Sequence, residues 1–365
     1  MKEGTWGSSS ATRPLQRVLS VVFVLVAATW AVGFAYQSGA WDTTCYEDNV
    51  CDSLTFTIVA ELLSEGKIPY VEQVRRDHIS KTRLSGAAPR FDLHFLYPPN
   101  ALPIFAIRSA LSPATAHIGM AFITTSICLS LVVRLTCRRL SGNLGAALLS
   151  VAIALSGIVA LNAALGQTGL LAAGLVLGVV LSWVRAPLVA GVVLGVLAVK
   201  PQYAAPLLLV ALIRRDWRIV TGAAATFAVL TVTSGMAFGF NQWRWFLDAV
   251  AGSDGREPGM VNWTGLVWRL APVDPNAIQS AAPSGFVMFV LALVATAAVL
   301  WAIRARMDLE TQLSVAVTMA VFASPHTHPY DLLVLFLPWS RSVGGPGAGC
   351  RPHLLRCNVA RPAVP

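Results

Sequence analysis

Long apolar runs, broken by short polar stretches, cover most of the chain. No Asp, Glu, Lys or Arg falls between Arg139 and Arg185, nor between Arg218 and Arg244. A hydrocarbon core needs about 20 apolar residues per helical span, and several runs meet that length. The pattern predicts an all-α polytopic membrane protein, with spans near 15–36, 114–133, 143–163, 168–184, 219–239, 285–303, 311–323 and 330–340. A secretory signal is the competing reading of the first run, which is longer than a typical signal core and lacks a clear cleavage site.

Composition agrees. Charged residues make up 12% of the chain, against roughly 25% in soluble domains, and mean hydropathy is +0.64. The net charge of +9 does not indicate nucleic acid, because the arginines form no single patch. They cluster at the ends of apolar runs: Arg13 and Arg17; Arg134, Arg138 and Arg139; Arg185; Arg214, Arg215 and Arg218; Arg304 and Arg306; Arg341. Cytoplasmic loops carry such clusters. The chain then threads with its N-terminus inside and 37–92 as a long first outer loop. The proline-bearing 96–112 segment is interfacial or re-entrant.

The segment 186–213 has arginine near both ends and KPQ in its middle. Arg185 to Lys200 reaches only about 22 Å as helix, short of a core about 30 Å thick. A hairpin of two short helices is expected, with Lys200, Pro201 and Gln202 at its apex. This threading puts that apex on the same side as the GQTG turn, the Trp-rich 240–284 loop and SPHTHPYD at 324–331.

A lysine near the bilayer centre costs about 2.5–3.5 kcal/mol, so Lys200 is a candidate phosphate ligand; its bland role is to snorkel to the interface. Asp52 is either the N-cap of a helix that lays its apolar side along the membrane surface or a general base, with Asp42, Glu47 and Asp48 as rivals. His326, His328 and Asp331 are spaced unlike a helical zinc motif and sit between prolines. Phosphate or sugar contacts suit them better than a metal, and a helix cap and turn is the plain alternative. Gln167 in GQTG either contacts sugar or caps a helix. Trp263 fits a sugar-stacking ring or an interfacial belt, and NWT at 262–264 matches a glycosylation acceptor. Cys45 and Cys51 are free to pair in an oxidising compartment.

Several stretches together resemble glycosyltransferase family 87, the polyprenol-phosphate-mannose-dependent mannosyltransferases of the GT-C class. They are AELLSEGKIPY at 60–70 after Asp52, LYPPNALPIF at 96–105 with Tyr97, and LNAALGQTGLLAAGLV at 161–176. AGVVLGVLAVKPQYAAPLLLVALIRRDWR at 190–218 and ASPHTHPYDLLVLFLP at 323–338 complete the set. The resemblance implies a GT-C-like helical bundle over 1–340. It implies transfer of mannose, or a related sugar such as arabinose, from a polyprenyl phosphate to a glycolipid or lipoglycan at the extracytoplasmic face of the plasma membrane. An inverting, α-(1→2) transfer is implied. By the resemblance Asp52 takes the role of catalytic base, and Lys200, His326, His328 and Asp331 contact substrate; Gln202, Gln167, Tyr97 and Trp263 are further candidate substrate contacts beside them.

No Walker loop or dinucleotide fingerprint is present. No cofactor is expected, and a divalent cation stays an open alternative. The bilayer is a partner and nucleic acid is not. The Gly-, Pro- and Arg-rich 341–365 tail departs from the family pattern and reads as frameshifted, truncated or disordered. A secondary transporter or flippase of a lipid-linked sugar is the other functional reading, since a hairpin at 186–213 is compatible with a broken transporter helix.

Overall fold

In the computed structural model the described residues are 12–38, 52–81, 95–139, 143–252, 285–323 and 327–336, and no strand occurs among them. The helices are α1 (Thr12–Ser38), α2 (Asp52–Ser64), α3 (Glu72–Lys81), α4 (Leu102–Ala106), α5 (Pro113–Arg139), α6 (Asn143–Ala154) and α7 (Gly157–Leu165). They continue as α8 (Gly169–Ser182), α9 (Pro187–Leu197), α10 (Pro201–Arg214), α11 (Trp217–Phe238), α12 (Gln242–Gly252), α13 (Gly285–Ile303) and α14 (Leu309–Ala323). The protein is an all-α polytopic membrane protein. Among the described residues four stretches are long and apolar enough to cross a bilayer: Ser20–Gln37, Pro113–Cys137, Leu148–Leu165 and Trp217–Phe238.

The bundle packs α1 on α5 and α7, α5 on α8, α8 on α9, and α9 on α11, while α10 packs on α13 and α14. Lipid tails are as apolar as leucine, so close helix approach depends on small residues. Ala28, Ala31 and Ala35 of α1 are fully buried. The α9–α11 crossing is tighter: a Cβ added at Gly191 would lie 2.4 Å from the Ile219 carbonyl oxygen, and one at Gly222 2.9 Å from that of Leu188.

Three expectations change in detail. The run at 143–163 is not one helix but α6 and α7, broken at Leu155 and Ser156; the Ser156 hydroxyl accepts from the Val159 amide at 3.5 Å and restarts the helix. Helix α2 does not lay a single face on a surface, because residues 53–60 are all buried, packed against α4 and the Ile107–Ala110 3₁₀ turn. The part of 330–340 that the structure describes lies in a 3₁₀ helix, Pro329–Leu335; at about 2.0 Å per residue it is too short to cross a membrane.

Residues 96–112 contain only short helical turns, Pro99–Ala101, α4 and Ile107–Ala110, none of them long enough to span a bilayer. The 186–213 hairpin is present. Helix α9 stops at Leu197, Lys200 caps α10 with non-helical backbone (φ −123, ψ 82), and Pro201 takes the first helical position, where its missing N–H costs nothing.

Candidate functional site

The break between α9 and α10 holds Lys200 inside the protein, 6% exposed. Its Nζ donates to Asp331 Oδ1 at 2.7 Å. Asp331 is also buried, and its Oδ2 accepts weakly from the His328 backbone amide at 3.4 Å. Asp331 therefore caps the Pro329–Leu335 turn and neutralises the lysine at once. A buried ion pair of this kind is costly to break from one side.

Hydroxyl groups surround the pair. Tyr203, one turn into α10, is 1% exposed; the Lys200 ammonium lies 6.0 Å from its ring centroid. Its hydroxyl is close enough to Asp331, Thr327 and Tyr97 to interact electrostatically with each, yet neither it nor the buried Thr327 hydroxyl completes a hydrogen bond. Tyr97 links this group to the α7–α8 turn, its hydroxyl 2.6 Å from Thr168 Oγ1. The Tyr97 ring is held by Phe56, Phe95 and Phe105, with centroids 5.5, 5.6 and 4.9 Å away. Its carbonyl accepts from the Tyr70 hydroxyl at 2.8 Å. Burial pushes the Tyr70 phenol well above its ordinary pKa, which keeps it a donor.

The α7–α8 turn is GQTG. Gly166 takes the left-handed conformation at φ +67, as a helix C-terminus commonly requires, and the Gln167 amide donates back to the Asn162 carbonyl at 3.0 Å. The Gln167 side chain is 3% exposed, and its Nε2 has no protein acceptor. A Cβ at Gly166 would meet His117 Nδ1 at 2.6 Å and Ser53 Cβ at 2.7 Å, so this turn lies directly on the start of α2 and the first turn of α5. There Ser53 Oγ contacts His117 Nδ1 at 2.7 Å and accepts from Arg108 Nη2 at 2.9 Å.

Asp52 is the first residue of α2, one position before this cluster. His326 and Trp263, with Cys45, Cys51, the NWT stretch, Asp42, Glu47, Asp48 and the 341–365 tail, lie outside the described residues. The structure brings Lys200, Asp331 and Tyr97 into one polar neighbourhood. Gln167 follows along the Tyr97–Thr168 bond, His328 through the Asp331 cap, and Gln202 is half-buried beside Lys200 on the first turn of α10. All of this sits where α5, α8 and α10 begin. Their other ends run to Arg139, to Arg185 and to Arg214.

Sequence inspection passed over Ser53, Asn100, Arg108, His117, Thr168, Tyr203 and Thr327. Asn100 carries a usable signal, as the amide of LYPPN. It is fully buried, and neither its Nδ2 nor its Oδ1 has a protein partner. Arg108 and His117 are isolated polar residues in otherwise apolar surroundings. Among the described residues no group of three His, Cys, Asp or Glu side chains is placed to hold a metal ion.

Fold and site together define a polytopic helical membrane protein with buried polar groups gathered at one end of its bundle. The model of glycosyltransferase family 87 matches residues 95–325, and the chain belongs to that family. It is a membrane glycosyltransferase. No curated protein matches it, and no solved structure does.

Proposed function

We propose that this glycosyltransferase moves mannose, or a related sugar such as arabinose, from a polyprenyl phosphate to a glycolipid or lipoglycan acceptor. The reaction takes place at the extracytoplasmic face of the plasma membrane, inverts the anomeric centre and forms an α-(1→2) link. The observation that carries this reading is the buried Lys200–Asp331 pair at a helix break, beside the hydroxyls of the buried Tyr203 and Thr327 and the half-buried Tyr97, at the bundle end away from the arginine clusters. A phosphate and a sugar suit a cation surrounded by hydroxyls. Membership of a glycosyltransferase family favours transfer over the transporter or flippase reading.

In this mechanism Asp52 takes the proton of the acceptor hydroxyl as general base. The acceptor oxygen attacks the anomeric carbon from the face opposite the phosphate, and the bond from that carbon to the phosphate oxygen breaks. The electron pair stays on the departing polyprenyl phosphate, where Lys200 offsets the growing charge. Asp331 orients the ammonium, and Gln202 and a histidine of the 326–328 loop assist. Gln167, Tyr97 and Trp263 contact the sugar. The donor is already activated, so the reaction needs no soluble nucleotide.

The test is transfer of labelled mannose from polyprenyl phosphomannose in membranes that express the chain, with mixed glycolipid acceptors, beside Asp52→Asn. Transfer that the substitution abolishes is the expected result. Transfer that survives it moves the base to Asp42 or Asp48, and failure with a panel of polyprenyl-phosphate sugars overturns the reading.

A further inference from the structure

Arg108 stands in the Ile107–Ala110 turn and is 7% exposed. Its Nη2 donates to the Ser53 carbonyl at 3.2 Å and to Ser53 Oγ at 2.9 Å. The guanidinium lies 5.8 Å from the Phe56 ring centroid. Its Nε and Nη1 are buried without a partner, and no carboxylate of the described residues lies within ion-pair distance. Burial lowers its pKa to about 10, which leaves it charged at neutral pH. Lys200 is different: its charge is already met by Asp331.

A buried cation with unspent donors is destabilising unless an anion completes it. A planar guanidinium matches phosphate oxygens in particular. The Ser53 oxygens anchor one nitrogen and fix the plane, so the remaining N–H groups are preorganised. The neighbouring residue along α2 is Asp52.

We propose that Arg108, held by Ser53, binds the phosphate of a membrane lipid at the start of α2, as a second phosphate-binding group separate from Lys200. This rests on the reading of the chain as acting on lipid-linked phosphates. Two lipids offer that chemistry: the polyprenyl phosphate of the donor, and a glycerophospholipid headgroup of an acceptor or of the surrounding bilayer. Held there, the phosphate places the rest of its lipid beside the candidate base.

The experiment uses the full chain in detergent, with Arg108→Gln, Arg108→Lys and the double variant Lys200→Met/Asp331→Leu. Probes are polyprenyl monophosphate, short-chain phosphatidylglycerol, inorganic phosphate and uncharged short-chain diacylglycerol, read by thermal shift and by direct affinity. At least one phosphate lipid should stabilise the unaltered chain more than diacylglycerol does. Arg108→Gln should weaken that lipid about ten- to a hundredfold, Arg108→Lys should weaken it less, and the double variant should keep any response to phosphatidylglycerol, whose phosphate Lys200 does not hold.

Selective response to polyprenyl monophosphate assigns the site to the donor carrier; a response to phosphatidylglycerol assigns it to a headgroup. Without ligand, Arg108→Gln should melt no lower than the unaltered chain, because it removes an uncompensated charge. If Arg108→Gln does not fold, the comparison of Arg108→Lys with the unaltered chain carries the test. The proposal is overturned if no phosphate lipid outperforms diacylglycerol, if inorganic phosphate alone binds as well as the lipids, or if the Arg108 variants bind like the unaltered chain. No arm requires sugar transfer, so failure of the transferase assay and failure of this site are read separately.

Discussion

Lys200 and Asp331 are 131 residues apart in sequence and share a hydrogen bond of 2.7 Å inside the protein. One closes a helical hairpin and the other caps a 3₁₀ turn, so the pair fastens two separate elements at the candidate site. Lys200→Met alone should cost about 3–5 kcal/mol, because it leaves a buried carboxylate uncompensated. Lys200→Met with Asp331→Leu should recover much of that in thermal unfolding. Transfer activity separates the roles: a double variant that folds but does not transfer sugar marks Lys200 as a substrate ligand, and one that remains active marks the pair as structural.

Asn100 offers a second separation of stability from function. A buried amide without a partner costs roughly 1–3 kcal/mol, so Asn100→Leu, which keeps the branch at Cγ, should melt at nearly the same temperature, the relieved amide offsetting the added bulk. Sugar transfer should fall at least about tenfold if the amide serves a substrate hydroxyl. Full activity in this variant would assign Asn100 no part in the site.

Gly166 is constrained by both conformation and space. A side chain in its left-handed backbone costs about 1–2 kcal/mol, and the Cβ would lie 2.6 Å from His117 Nδ1. Gly166→Ala should lower thermal stability. It should also reduce transfer, because the displaced contacts belong to the start of α2, where Asp52 stands. An unchanged melting temperature would show that the α7–α8 turn relaxes freely.

The α9–α11 crossing should be sensitive to bulk. Gly191→Leu drives a side chain at the Ile219 carbonyl, 2.4 Å from the added Cβ, and backbone cannot swing aside as a flexible side chain does. Overpacking of this kind costs about 1–3 kcal/mol. The measurement is detergent unfolding of Gly191→Leu beside Val192→Leu, whose native side chain is exposed and which should be nearly neutral.

Much of the membrane architecture was legible along the chain, because burial in lipid imposes a length and a polarity on each segment. The 186–213 hairpin is an example: arginine near both ends and one lysine in its middle allow few arrangements. Helix termini were legible where local chemistry fixes them, as at Pro201 and Gly166. The α6–α7 break was not, since Ser156 is a modest polar residue in a continuous apolar run and helix capping there depends on one weak contact. The burial of α2 was not legible either. Ser53 and Thr57, one helical turn apart, look like a polar face in sequence, but Arg108 and His117 supply Ser53 with partners from other segments.

The sequence by itself determined that the protein is helical and lives in a bilayer, and it singled out Lys200, Tyr97, Gln167 and Asp331, because a polar group among apolar neighbours is conspicuous without coordinates. Only the tertiary structure decided which of these meet. Lys200 found Asp331, Tyr97 found Thr168, and Arg108 remained a buried cation held by Ser53. The reason is physical: apolar periodicity encodes which residues leave water, whereas a hydrogen bond depends on distances of a few tenths of an ångström between segments far apart in the chain.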